Sequence, residues 1–72
     1  MRIRLADSEH RGELLRFLRA RGCIAYAIGD SQVVEAMHPD ALGEKKEQTR
    51  IRILLDAWLA DTPSATVQLD LD

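Results

Sequence analysis

Apolar residues recur along this chain in two alternating rhythms, and that alternation limits the folds open to it. From Arg2 to Ala6, Ile3 and Leu5 fall on one side and Arg2 and Arg4 on the other, the period of two expected of a half-buried strand. The rhythm then lengthens. Leu14, Leu15, Phe17 and Leu18 gather on one flank, with Arg11 and Arg21 at its edges and Glu13, Arg16 and Arg19 opposite, which predicts an amphipathic helix to about Arg21. Asp7 or Ser8 is expected to cap its first amides, with Glu9 complementing the dipole and Gly22 stopping the helix at C′. The stretch CIAYAIGDSQVVEAM, Cys23 to Met37, reads as two strands around a turn at Gly29-Asp30. His38-Pro39 ends the second of these, because proline cannot continue a ladder, and Asp40 is placed to cap the next helix. That second helix starts between Ala41 and Glu44 and runs to about Asp61, with Ile51, Leu54, Leu55, Trp58 and Leu59 on one stripe. Glu44, Lys45, Lys46 and Glu47 give it solvated first turns. Thr62-Pro63-Ser64 breaks it, and Thr66 to Asp72 returns to alternation, Val67, Leu69 and Leu71 against Gln68, Asp70 and Asp72.

The order β-α-β-β-α-β predicts an α+β chain, a ferredoxin-like βαββαβ two-layer sandwich. Its four-stranded antiparallel sheet would carry both helices on one face. Right-handed crossovers would put the first and third strands at the centre. The 72 residues, 46% apolar and 31% charged, are read as a single domain, 1–72. A core of this size leaves only roughly 3–5 kcal/mol without a staple. Cys23 is the one cysteine, so an internal disulfide is excluded and oligomerisation becomes the natural source of extra stability.

The hairpin poses the functional question. A two-residue turn would pair Ile28 with Ser31, Tyr26 with Val33 and Ile24 with Glu35, and cross-strand partners share a face. Ile24, Tyr26, Ile28, Val33, Glu35 and Met37 would then point one way, and Cys23, Ala25, Ala27, Gln32, Val34 and Ala36 the other. Facing Glu35 toward the helices would bury a carboxylate at a cost of several kcal/mol. Facing it outward sets it beside Arg2 and Arg4, where an ion pair is available. The apolar members of its row would then be exposed as a patch of the size that marks interaction sites. A three-residue turn or a bulge would shift the register by one and return Ile24, Tyr26 and Ile28 to the core. Val33 and Met37 remain outside under either arrangement. On the second helix, Ile53, Ala57 and Ala60 fall opposite the core stripe.

Chemistry is sparse. Cys23 reads as a small buried residue, and His10 and His38 as isolated surface or cap-adjacent histidines without metal-ligand spacing. No nucleophile, acid–base pair or phosphate loop emerges, so neither an enzyme nor a cofactor is expected. No run of roughly 18 apolar residues is present, and the N-terminus lacks the apolar run of a signal peptide, so a cytoplasmic chain is the expectation. A net charge of −2 argues against nucleic acid. So does the absence of aromatics among Arg2, Arg4, Val33, Glu35 and Met37 on the two central strands, with Tyr26 left on an edge.

The segment IRLADSEHRGELLRFLRARGCIAYA, Ile3 to Ala27, places an acidic residue, a glycine and a leucine-rich helix between two strands. It resembles the opening of an ACT-type regulatory domain over about a third of the chain, with a wider gap between Asp7 and Gly12 than that family keeps. The resemblance implies small-molecule sensing, at the turn between those residues or at a dimer seam. The reading taken from the residues themselves is a non-catalytic interaction or regulatory domain, a homodimer or an accessory subunit of a larger protein; a nucleic-acid-binding regulator using the basic first helix, with Arg11, Arg16, Arg19 and Arg21, is the less favoured alternative. The contact of the interaction domain would be formed by Ile24, Tyr26, Ile28, Val33 and Met37, rimmed by Arg2, Arg4 and Glu35, with Asp70 on the polar side.

Overall fold

The computed structural model describes all residues except Asp7, Asp30, Ser31, Leu71 and Asp72, and of Asp70 the backbone only. Its elements are β1 (Arg2–Leu5), α1 (Arg11–Ala20), β2 (Ile24–Ala27), β3 (Val33–Met37), α2 (Glu44–Asp61) and β4 (Val67–Asp70). The chain is α+β, with an open antiparallel sheet in the order β2-β3-β1-β4 and two helices. β1 and β3 are central, as the sequence predicts.

The core explains why one sheet face is covered. Ile3, Leu5, Ala25, Val34 and Ala36 from the strands join Leu14 and Leu18 of α1 and Ile51, Leu55 and Trp58 of α2 in one buried cluster. Both helices therefore lay their apolar stripes on the same face. The small Ala25 and Ala36 sit opposite each other on β2 and β3. Large helix side chains can then approach the sheet closely, the interdigitation that a dense core needs.

Helix α1 starts later than its polar prelude suggests. Its N-cap is His10 with no side-chain cap, and the turn before it is closed by the Arg11 amide donating to the Ser8 carbonyl at 3.3 Å. Asp7 lies outside the described residues. The C-terminus follows expectation. The Gly22 amide donates to the Arg19 carbonyl at 3.1 Å and the Cys23 amide to Leu18 at 3.0 Å, a Schellman closure that requires the positive φ of 87° at Gly22. Helix α2 is capped by the backbone of Gly43, without a side-chain bond, so Asp40 does not cap it.

The hairpin register differs from both sequence-based alternatives. Ile24 pairs with Met37 and Tyr26 with Glu35, and the Ile28 amide donates to the Val33 carbonyl at 3.1 Å. The connection is residues 29–32, four in place of two. A four-residue loop moves each pairing by two positions, which preserves the faces, because side chains alternate with that same period. This register does not fit the two-residue turn expected at Gly29-Asp30; Asp30 and Ser31 lie outside the described residues.

Replacing Gly22 by alanine should cost about 1 kcal/mol, since the positive φ strains any side chain although the space around it is open. Urea denaturation would reveal this as a lower midpoint at unchanged slope, whereas Gly12→Ala, in the first turn of α1 with open space around it and no positive φ, should be neutral or stabilising.

Candidate functional site

The uncovered sheet face is built in cross-strand rows. Tyr26, Glu35 and Arg2 lie side by side across β2, β3 and β1, followed by β4. The next row runs from Ile28 through Val33 and Arg4 to Gln68. Apolar residues therefore fill the β2 side, and charged or polar ones the β1 and β4 side.

Glu35 points to the open face, near Arg2 and the N-terminal ammonium, with its Oε2 sealed and without a hydrogen-bond partner among the described residues. It is half-buried, with Oε2 3.5 Å from the Arg2 Nε. Its row is the one anticipated, but the apolar patch is smaller. Ile24 and Tyr26 are about half exposed, at 51% and 46%. Ile28 and Met37 are only partly accessible, and Val33 is buried at 9%. The sequence places Val33 in the open; it is buried instead, on a central strand with Ile28 paired on one side and Arg4 on the other. Arg2 and Arg4 are exposed.

The edge of β2 is guarded. Ile28 bonds to β3, so by antiparallel alternation the main-chain groups of Ala25 point away from the sheet. The Ala25 carbonyl accepts a 2.9 Å bond from Arg19 Nε of α1. A charged side chain laid over an edge opposes strand addition. Arg19 is thus occupied, and Arg21 stacks its guanidinium 4.0 Å from the Phe17 ring centroid. Part of the basic character of α1 is structural.

His10 is cap-adjacent, as expected, being the N-cap of α1, whereas His38 is not at the surface. His10 sits edge-on to Trp58, centroids 6.2 Å apart, and shares a 3.2 Å hydrogen bond with the Ser64 hydroxyl. Its Nδ1 lies 3.7 Å from Glu13 Oε2, beyond hydrogen-bonding reach. The residue clasps the start of α1 to the segment after α2. His38 is buried at 8%, not on the surface, and its Nδ1 has no hydrogen-bond partner. It lines an open groove of about 640 Å³ with Arg21, Arg50, Ile53 and Leu54, which sequence reasoning missed because these residues come from separate elements far apart in the chain. Ile53 is 62% exposed, as its position opposite the core stripe implies.

Cys23 is buried, as expected, and burial, reinforced by the Glu47 carboxylate, pushes its thiol above the usual value. Among the described residues no group of three or more His, Cys, Asp or Glu side chains is placed to hold a metal, and no helix is long and apolar enough to cross a membrane. Asp7, the acidic residue of the turn toward Gly12, falls outside the described residues, so that turn has no ligand geometry to report. Comparison with protein-family models, with curated proteins and with solved structures gave no significant match to this chain.

Arg19→Ala should lower stability by on the order of 1 kcal/mol and increase aggregation on heating, measurable by denaturation and light scattering. Cys23 should react with a disulfide reagent far more slowly in the native protein than in urea, and its native alkylation rate should keep climbing above the pH at which an exposed thiol has levelled off.

Proposed function

We propose that this chain works by association, a small non-catalytic domain whose uncovered sheet face meets a second copy of itself. The observation that carries this reading is the pair Ile24 and Tyr26, each about half exposed and two residues apart on the same face of β2. Beside them Ile28 and Met37 extend the apolar surface, and Tyr26 is the natural anchor, an aromatic with a polar tip at the boundary between the apolar and charged sides.

A second copy suits this surface for two reasons. The face carries both signs, Arg2 and Arg4 against Glu35, so a two-fold axis can bring each sign opposite the other. Arg19 covers the β2 edge, which disfavours a continuous sheet and leaves the face as the contact. Association would also stabilise a chain close to the lower limit for independent folding. In topology, the strand order β2-β3-β1-β4, with both helices over one face, supports a ferredoxin-like split βαβ arrangement.

Analytical ultracentrifugation over a range of concentrations tests the reading. The expected result is a concentration-dependent rise toward twice the chain mass, abolished by Tyr26→Asp with helical circular dichroism unchanged. A single monomer-mass species at the highest concentrations, or a dimer indifferent to Tyr26→Asp, would overturn it.

A further inference from the structure

The groove on the helix side is distinct from the sheet face. We propose that it binds a small organic anion, a carboxylate or phosphate monoester head carrying a short aliphatic portion. Three observations converge on it.

The first is charge. Arg21 and Arg50 approach the groove from the C-terminal end of α1 and from the middle of α2. Neither forms an ion pair among the described residues. Arg21 is held in place by the Phe17 face, so little side-chain freedom remains to be lost when an anion arrives. Guanidinium groups recognise carboxylate and phosphate oxygens through paired N–H donors.

The second is His38. A nine-tenths buried imidazole with an unpartnered Nδ1 is an unusual feature of a native core. Nδ1 is sealed from solvent, which leaves Nε2 as the ring nitrogen able to serve the groove that His38 lines. A sealed, unpaired N–H is costlier than a sealed lone pair, so a lone pair suits Nδ1 and the N–H suits Nε2. That tautomer gives the groove a third donor.

The third is shape. A volume of about 640 Å³ is within the range that holds small ligands. Leu54 is partly buried and Ile53 is 62% exposed, an apolar wall beside the cationic groups. Donors next to an apolar wall select an anion with a hydrocarbon part over a bare inorganic one. Glu47, one turn before Arg50 and close enough to Cys23 to raise its thiol, is a nearby opposing charge.

The test is a titration of the full chain followed by two-dimensional 15N NMR, with hexanoate, hexyl phosphate, inorganic phosphate and hexylammonium as probes. Saturable shifts at Arg21, His38, Arg50 and Ile53 are expected with hexanoate or hexyl phosphate. Whichever binds tighter identifies the head group. Inorganic phosphate should bind more weakly, and hexylammonium should leave these signals in place. Arg50→Gln, on an exposed helix position, should weaken binding by about tenfold or more. Ile53→Ser should weaken the hexyl compounds while leaving inorganic phosphate unaffected. Tyr26→Asp should bind as the parent does, which separates this site from the association surface. No saturable shift with either hexyl anion, or affinity unchanged by Arg50→Gln in a protein with native spectra, would overturn the proposal.

Discussion

A carboxylate in the middle of a central strand decides which side of this sheet the helices take. Glu35 has β1 on one side and β2 on the other, so its side chain must commit wholly to one face. On the helix side it would displace apolar packing and stand unpaired; on the open side it meets Arg2 at 3.5 Å. Because side chains alternate along β3, that single choice sends Val34 and Ala36 inward and Met37 outward. Pairing carries the choice across to β2, where Ala25 turns inward and Tyr26 outward. The ion pair is half exposed and itself contributes little. Its influence comes from what the opposite arrangement would cost.

The inward row then sets the distance between layers. Two alanines facing each other across the β2–β3 pairing leave room for Leu14, Leu18 and Trp58, and the helices settle close to the strands. The same closeness brings the end of α1, the end of β3 and the middle of α2 within reach of one concavity. The two proposed surfaces thus have one origin. Faces are assigned by Glu35, the outward one left apolar along β2, and the inward one compact enough for Arg21, His38 and Arg50 to share a space.

The six elements are legible in the sequence because each has local punctuation: Gly22 after α1, Pro39 after β3, Pro63 after α2, and a change of apolar period at each boundary. The facing of the hairpin is legible because one carboxylate fixes the parity of its strand. The features that stay hidden depend on contacts between distant residues. The register is hidden because loops of two and four residues produce identical faces. Val33 looks exposed because its neighbours in the sheet, Arg4 among them, lie far from it in sequence. The start of α1 is hard to place because a backbone bond from Arg11 to Ser8 closes the turn that a side-chain cap would otherwise close. His38 looks like a surface residue since the residues that share its groove, Arg21, Arg50, Ile53 and Leu54, are distant in sequence. The groove, assembled from three separate elements, has no linear signature.

The hairpin loop also constrains how such a chain can change over generations. The stretch from residue 29 to 32 joins strands whose inward and outward rows must stay aligned with their neighbours in β1. A change in loop length that the loop itself absorbs leaves both rows in place. Where the loop keeps its length instead, β2 slides along β3, and a slide by one position turns the edge strand over, hiding Tyr26 and driving Ala25 into water. Length variation at this loop should therefore accumulate only in forms that leave that parity intact.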